Sequence, residues 1–264
     1  MYWGSCLEVL PQLEKESVDL LLTDPPYNIS QSGKKIDRTT IACRTLKRNG
    51  KKSKELNYDF GEWDKFASRE DFLGFTSKWV KQCFPLLKST GNFVSFFDKA
   101  TISYFDDIIR NCGGYVRQNL VWHKSNPVPQ IFLVGFMSAT EFLTWATKNK
   151  GAGHIFNYKL GQHHNIIKTP ICQGNERTEH PTQKPEQVIS WLISYLSIPY
   201  SIVLDPFCGS GTTAVVCERL WRRWIAIEQS EKFCEIAVQR IEDESRQLKM
   251  DLLKGFYKYR EVSK

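Results

Sequence analysis

Short apolar runs alternate along this chain with longer segments whose apolar residues recur every three or four positions, the rhythm of strands joined by crossover helices. The first run, Val18 to Thr23 (V-D-L-L-L-T), stops at Asp24-Pro25-Pro26, because proline offers no ladder donor and biases its predecessor away from helix. Ser68-Arg69-Glu70-Asp71 opens a helix with an N-cap and early acids, and Phe72, Phe75, Trp79, Val80 and Phe84 continue one apolar face as far as Pro85. Further strands are predicted over Gly91 to Phe97, Tyr115 to His123, Glu141 to Ala146, Ser201 to Leu204 and Trp224 to Ile227. Further helices are predicted over Thr101 to Asn111, closed by Gly113-Gly114, and over Glu186 to Leu196, Thr212 to Leu220 and Glu231 to Leu248. Lys148 to Glu179 is rich in Gly, Asn and His, has little periodicity, and is expected to be an irregular excursion. No internal repeat is visible. The alternation predicts an α/β fold: a mainly parallel twisted sheet with helices on both faces. In such sheets ligands sit beyond the carboxyl ends of the strands.

The 264 residues, 41% hydrophobic and 25% charged, suit one large α/β domain and argue against a disordered, fibrous or disulfide-stapled chain. No run approaches the length of a membrane span. Met1 to Leu10 carries Glu8 and no Lys or Arg, so it lacks the basic start of a secretory signal. The expectation is a cytoplasmic protein with no membrane partner. The eight cysteines are scattered, with no C-x-x-C pair, and read as reduced thiols. His154, His163, His164 and Cys172 fit no tight metal-ligand spacing, so no metal is expected.

Charge changes the picture more than composition does. Between Gln31 and Asn57 stand nine basic residues, Lys34, Lys35, Arg38, Arg44, Lys47, Arg48, Lys51, Lys52 and Lys54, against Asp37 and Glu55. This insert, 31–57, carries the whole net charge of +7 and leaves the rest of the chain balanced. A polyanion-facing loop on a neutral body is one reading; a solvated insertion without a partner is the other.

Two loops at carboxyl ends of predicted strands can do chemistry. In Asp205-Pro206-Phe207-Cys208-Gly209-Ser210-Gly211-Thr212-Thr213, two glycines lead into a helix, so backbone can approach a ligand closely and helix-start N–H groups can face it. The dinucleotide fingerprint would need a third glycine at Ala214, and the P-loop lysine is absent. Glu228, ending the next strand, can accept hydrogen bonds from ribose hydroxyls. A nucleoside ligand without a pyrophosphate fits best. In Asp24-Pro25-Pro26-Tyr27, proline stiffens a stretch holding a carboxylate, a carbonyl and an aromatic ring. Asp24 and the Pro25 carbonyl can accept the two N–H groups of an amine on a heteroaromatic base while Tyr27 stacks on it.

D-P-P-Y and D-P-F-x-G-S-G-T-T, with His180-Pro181-Thr182-Gln183-Lys184-Pro185 shortly before the second, resemble the S-adenosylmethionine-dependent amino-methyltransferases of DNA. The order, catalytic motif first and cofactor motif last, resembles their β class. Trp122-His123-Lys124-Ser125-Asn126-Pro127 looks like the family's W-x-K-x-N-P segment, and Arg222 to Glu228 like its second cofactor motif. The resemblance implies a circularly permuted Rossmann-like methyltransferase fold over the single domain 1–264, with residues 148–179 as target-recognition region.

By position, the resemblance gives Asp24, Pro25, Pro26 and Tyr27 to the target amine. Asp205, Phe207, Gly209, Ser210, Gly211 and Thr212 would wrap the methionine part of S-adenosylmethionine, Glu228 its ribose, and Thr182 and Lys184 its carboxylate, with Asp24 bordering the same pocket. Where the family has Gly-Asp near the adenine, this chain reads Gly4-Ser5-Cys6, which leaves that contact to the backbone of Ser5 and Cys6. DNA contacts are expected from Lys34, Lys35, Arg44, Lys47, Arg48, Lys51 and Lys52, and from Trp122, Lys124 and Asn126. The implied activity is methylation of adenine N6 in double-stranded DNA by base flipping, releasing S-adenosylhomocysteine, with nucleoid association on DNA. A homodimer and a cognate restriction endonuclease are the further partners it brings. Cytosine N4 as target, RNA or protein as substrate, and a non-catalytic DNA-binding relative are the alternatives.

Overall fold

The computed structural model of the chain describes residues 1–27, 66–129, 135–151 and 153–251, with the helical backbone continuing to Val262. Its strands are β1 (Tyr2–Trp3), β2 (Val18–Thr23), β3 (Leu87–Phe97), β4 (Tyr115–Lys124), β5 (Thr140–Thr147), β6 (Ile166–Thr169), β7 (Ile202–Asp205) and β8 (Arg223–Glu228). Its helices are α1 (Cys6–Val9), α2 (Arg69–Cys83), α3 (Ile102–Asn111), α4 (Glu186–Leu196), α5 (Thr212–Arg219) and α6 (Glu231–Val262). The strands form one sheet in the order β1-β8-β7-β2-β3-β5-β4-β6. Among them β5 alone runs antiparallel to its neighbours, β3 and β4.

Every residue of β2 is buried, as expected of a central parallel strand covered on both faces. Its pleat sends alternate side chains to opposite cores. Leu21 joins Trp79, Val80, Phe93, Phe105 and Ile109 under α2 and α3. Leu20 and Leu22 join Val188, Leu192 and Val216 under α4 and α5. On the first face, Ser68 caps α2 by accepting the Asp71 N–H at 3.0 Å, and Phe72, Trp79, Val80 and Cys83 line its inward stripe.

Three elements depart from the sequence reading. Strand β3 begins at Leu87 rather than Gly91, because polar Lys88-Ser89-Thr90 hides the apolar pattern there. The stretch 148–179 contains β6, which extends the sheet parallel to β4. Strand β1 is two residues long, too short to show a period.

The chain winds from β2 to β3 in one direction and from β7 to β8 in the other, so the sheet reverses its strand order between β2 and β7. The crevice past the carboxyl ends of these two strands is where such a sheet binds ligands. Both ends of the pair are tied. At the amino end, the Asp19 carboxylate accepts the Ile202 N–H at 2.8 Å and pairs with the Lys88 ammonium at 2.9 Å, joining β7, β2 and β3. At the carboxyl end, the Thr23 hydroxyl donates to Asp205 Oδ1 at 2.7 Å. Asp19→Ala leaves the Ile202 N–H without its acceptor and should lower unfolding stability by about 1–3 kcal/mol in urea denaturation. Thr23→Val, which keeps the shape and removes the donor, should cost about 1 kcal/mol by the same measurement.

Candidate active site

A cavity of about 320 Å³ opens past β2 and β7, lined by Gly4, Ser5 and Cys6, by Thr23 to Tyr27, by the 205–213 loop and by Glu228 and Phe233. The catalytic and nucleoside-type loops predicted from sequence therefore share one space, although about 180 residues separate Asp24 from Asp205.

The glycine loop is shaped by two positive-φ residues, Gly209 (φ +50°) and Gly211 (φ +80°), conformations that side chains rarely adopt. A Cβ on Gly209 would meet His180 Nε2 at 2.8 Å, and one on Gly211 would meet the Ala237 Cβ at 2.8 Å. The bareness of Gly209 thus admits the His180 ring against the loop. Gly211 sits behind it, where its bareness admits α6. Glu228 braces the cradle: its Oε2 accepts the Gly209 N–H and its Oε1 the Ser230 N–H, both at 2.8 Å. Each oxygen keeps a lone pair for a ligand hydroxyl. Burial pushes the Glu228 carboxyl above its usual range, against these backbone donors. Asp205 is likewise pushed up by burial, to about 6, with Thr213 and Thr23 opposing.

Phe207 lines the cavity and wedges edge-on against Trp79. Ser210 and Thr212 are held by Arg240, whose Nη1 donates to the Ser210 carbonyl at 2.7 Å and to Thr212 Oγ1 at 3.2 Å. Ser5 is the extended N-cap of α1, makes no side-chain cap bond, and lines the cavity beside Cys6. The Cys6 thiol is pushed up to about 12 by burial, so it stays protonated.

The other wall carries charge. Tyr27 OH donates to Asp24 Oδ1, and the Lys184 ammonium pairs with Asp24 Oδ2. Lys184 is 7% exposed and also faces Glu141 Oε2 at 3.4 Å. Burial pushes the Asp24 carboxyl above its usual value, against the pull of Lys184. For Lys184, burial lowers the pKa, but Asp24 and Glu141 outweigh it and hold the ammonium above the ordinary lysine value. For Glu141, Lys184 and Lys124 outweigh burial and hold the carboxyl below its usual range.

The structure corrects part of the sequence expectation. Trp122 is 2% exposed and spends its indole N–H on Thr169 Oγ1 at 2.7 Å, so it belongs to the core and not to a DNA-contacting surface. The Lys184 ammonium, expected near the cofactor carboxylate, is committed to Asp24 and Glu141. Lys124 pairs with Glu141 at 2.7 Å. Asn126 accepts the Ile171 N–H at 2.8 Å and donates to Gln173 at 3.1 Å, tying the loop after β4 to the segment after β6. Lys34, Lys35, Arg44, Lys47, Arg48, Lys51 and Lys52 lie outside the described residues. Glu141, which reaches the site through Lys184, and the lining residues Phe96 and Phe233 were not legible as site residues; none lies within a motif, and the fold gathers them. His154 packs on Trp145, and His163 on Trp191 and Tyr195. Among the described residues no group of His, Cys, Asp and Glu is arranged to hold a metal ion, and no helix is long and apolar enough to cross a membrane.

A family model described as DNA methylase, covering N6 and N4 methyltransferases, matches residues 18–239. The chain is 33% identical over 254 residues to the Type II methyltransferase M.HinfI of Haemophilus influenzae, spanning 91% of this chain and 67% of that protein. It is 32% identical over 246 residues to the Type II methyltransferase M2.DpnII of Streptococcus pneumoniae, spanning 89% and 87%. The structure of the M1.HpyAVI–SAM complex superposes with a TM-score of 0.69 at 27% identity, covering 91% of this chain and 97% of that one. Together with the paired loops at the β2/β7 crevice, these matches show that the chain belongs to the N6/N4 family of DNA methylases.

Proposed function

We propose that the protein methylates the exocyclic N6 of adenine in double-stranded DNA, using S-adenosylmethionine as donor and releasing S-adenosylhomocysteine. The observation that carries this reading is the single cavity shared by Asp24-Pro25-Pro26-Tyr27 and the glycine cradle. Two relatives named as Type II methyltransferases support it, and the D-P-P-Y form of the first loop favours adenine.

When bound, the donor supplies an electrophilic methyl group on a sulfonium. The protein's own contribution is placement. Glu228 offers its remaining lone pairs to the ribose hydroxyls, and the backbone of Ser5 and Cys6, which line the same cavity as Phe233, is left for the adenine ring. Asp205, Phe207, Gly209 and Ser210 border the methionine part, with Thr182 near its carboxylate. The cradle fits this role because the Glu228 carboxylate, fixed by the Gly209 and Ser230 N–H groups, borders the cavity with acceptor capacity to spare.

The amine of adenine is a poor nucleophile because its lone pair is delocalised into the ring. Asp24 and the Pro25 carbonyl accept its two N–H bonds, favouring a tetrahedral nitrogen whose lone pair faces the methyl group. Tyr27 stacks on the base, and its ring is set by edge-on packing against Phe97. A base in a duplex reaches this pocket only when extruded, at an unstacking cost of a few kcal/mol. The basic segment 31–57, with its Lys47, Arg48, Lys51 and Lys52, supplies phosphate contacts that hold the duplex while this happens.

Incubation with unmethylated genomic DNA and methyl-labelled S-adenosylmethionine, followed by nucleoside mass spectrometry, should give labelled N6-methyladenine. Labelled N4-methylcytosine would move the target base, and no label on DNA despite cofactor binding would overturn the reading. Asp24→Asn should lower the transfer rate by roughly 100-fold or more while calorimetric cofactor affinity stays within about threefold. Glu228→Gln should weaken cofactor binding by about tenfold, or about 1.4 kcal/mol. Because burial raises the Glu228 carboxyl, wild-type cofactor affinity should begin to fall on acidification before an exposed glutamate would protonate. Neutralising Lys47, Arg48, Lys51 and Lys52 together should reduce the slope of log affinity against log salt by about 3 to 4.

A further inference from the structure

Four charges, each from a different element, alternate in sign along a chain that ends at Lys184 and Asp24 on the cavity wall. Lys124 at the end of β4 pairs with Glu141 at the start of β5 at 2.7 Å. Glu141 faces Lys184, from the loop before α4, at 3.4 Å. Lys184 then meets Asp24 in the loop after β2. The ammonium of Lys184 also lies 5.0 Å from the Phe96 ring centroid and 5.6 Å from that of Tyr27, so carboxylates and aromatic faces surround it. We infer that Lys184, shared between Asp24 and Glu141, is a positioning residue that keeps the Asp24 carboxylate charged and aimed at the target amine. This inference rests on the proposed role of Asp24.

The sign of the surroundings makes the role necessary. A protonated Asp24 would present an O–H where the amine needs an acceptor. The groups facing Asp24 are Lys184, Glu141, the Tyr27 phenol from its own loop, and Asp205 from β7; Asp98, past β3, acts on Tyr27. Of these, Glu141 and Asp205 carry like charge and burial adds to their effect, whereas Lys184 and the Tyr27 hydroxyl favour the charged form. Among the described residues, Lys184 is the cation that touches Asp24. Glu141 shares that cation, and its own charge pushes Asp24 the other way. The two neighbours therefore have opposite effects on the ionisation of one carboxylate.

The test is single-turnover methyl transfer to unmethylated genomic DNA between about pH 5 and pH 9, with S-adenosylhomocysteine affinity measured on the same full-length proteins. Lys184→Met should move the acid limb of the rate profile upward by about one pH unit, a roughly tenfold further loss of rate on the acid side. S-adenosylhomocysteine affinity should stay within about threefold, and Lys184→Arg should restore the wild-type limb. Glu141→Gln should move the limb downward. A limb unmoved in Lys184→Met with cofactor affinity down tenfold would place Lys184 on the cofactor and overturn the inference. Equal displacement of both variants in one direction would reduce the pair to a structural brace and overturn it too. Should Lys184→Met fail to fold, the Glu141→Gln limb decides alone, a downward shift supporting the inference and an unmoved limb overturning it. Asp24→Asn separates the two levels: near-native transfer by that variant removes the role of Asp24 itself, whereas an inactive Asp24→Asn beside an unmoved Lys184→Met limb removes only the role of Lys184.

Discussion

Strands β2 and β7 run side by side in parallel, paired at Leu20–Val203 and Leu21–Leu204, and this register sets the height at which both reactive loops leave the sheet. A slip of one residue would turn each strand's core side chains to the wrong face. It would also part Thr23 from Asp205 and carry Asp24 away from the glycine cradle. The register is protected from both ends, by Asp19 reaching across to the backbone of β7 and by Thr23 bonding to Asp205. The site's geometry is thus a consequence of strand pairing first and of loop chemistry second.

Burial at this crevice has two opposite uses. On the cradle side, Glu228 and Asp205 are satisfied by backbone N–H groups and hydroxyls. On the target side, Asp24 and Glu141 are balanced by two lysines. Hydrogen-bonded carboxylates suit a surface that meets neutral hydroxyls and amides, since buried polar groups need donors more than countercharge. Ion-paired carboxylates suit a pocket where one acceptor must stay charged beside apolar rings, since an unpaired buried charge is costly. One cavity therefore has two electrostatic regimes, divided along the line between β2 and β7.

Much of this was legible in the chain. The buried run 18–23 ending in Asp-Pro-Pro, the glycine-rich turn after 202–205, and helix α4 from Glu186 to Leu196 follow from periodicity and turn chemistry. Other features need the third dimension. Lys88 to Thr90 reads as a polar loop because the strand there is at the rim, where Lys88 pairs with Asp19. Trp122 looks like a surface ligand in a motif, yet the pleat of β4 turns its side chain into the core beneath β6, itself hidden in an aperiodic stretch. Glu141 begins an ordinary strand, and only the antiparallel pairing of β4 with β5 brings it beside Lys124 at the end of β4. Lys184 lines the cavity as its motif implies, but its pairing with Asp24 and Glu141 was not legible, because local sequence gives a position and not the direction of a long side chain.

The bond from Thr23 to Asp205 spans 182 residues, and the cradle's brace, Glu228, comes later still. A chain emerging from the ribosome carries its Asp-Pro-Pro-Tyr loop long before it carries anything for that loop to face. Non-local closure of this kind is slow and comes late in folding. The order of the strands therefore acts as a timing device: a partly synthesised chain presents the half of the crevice meant for a base without the half meant for a methyl donor, and neither half has its final shape until the last third of the protein has joined the sheet.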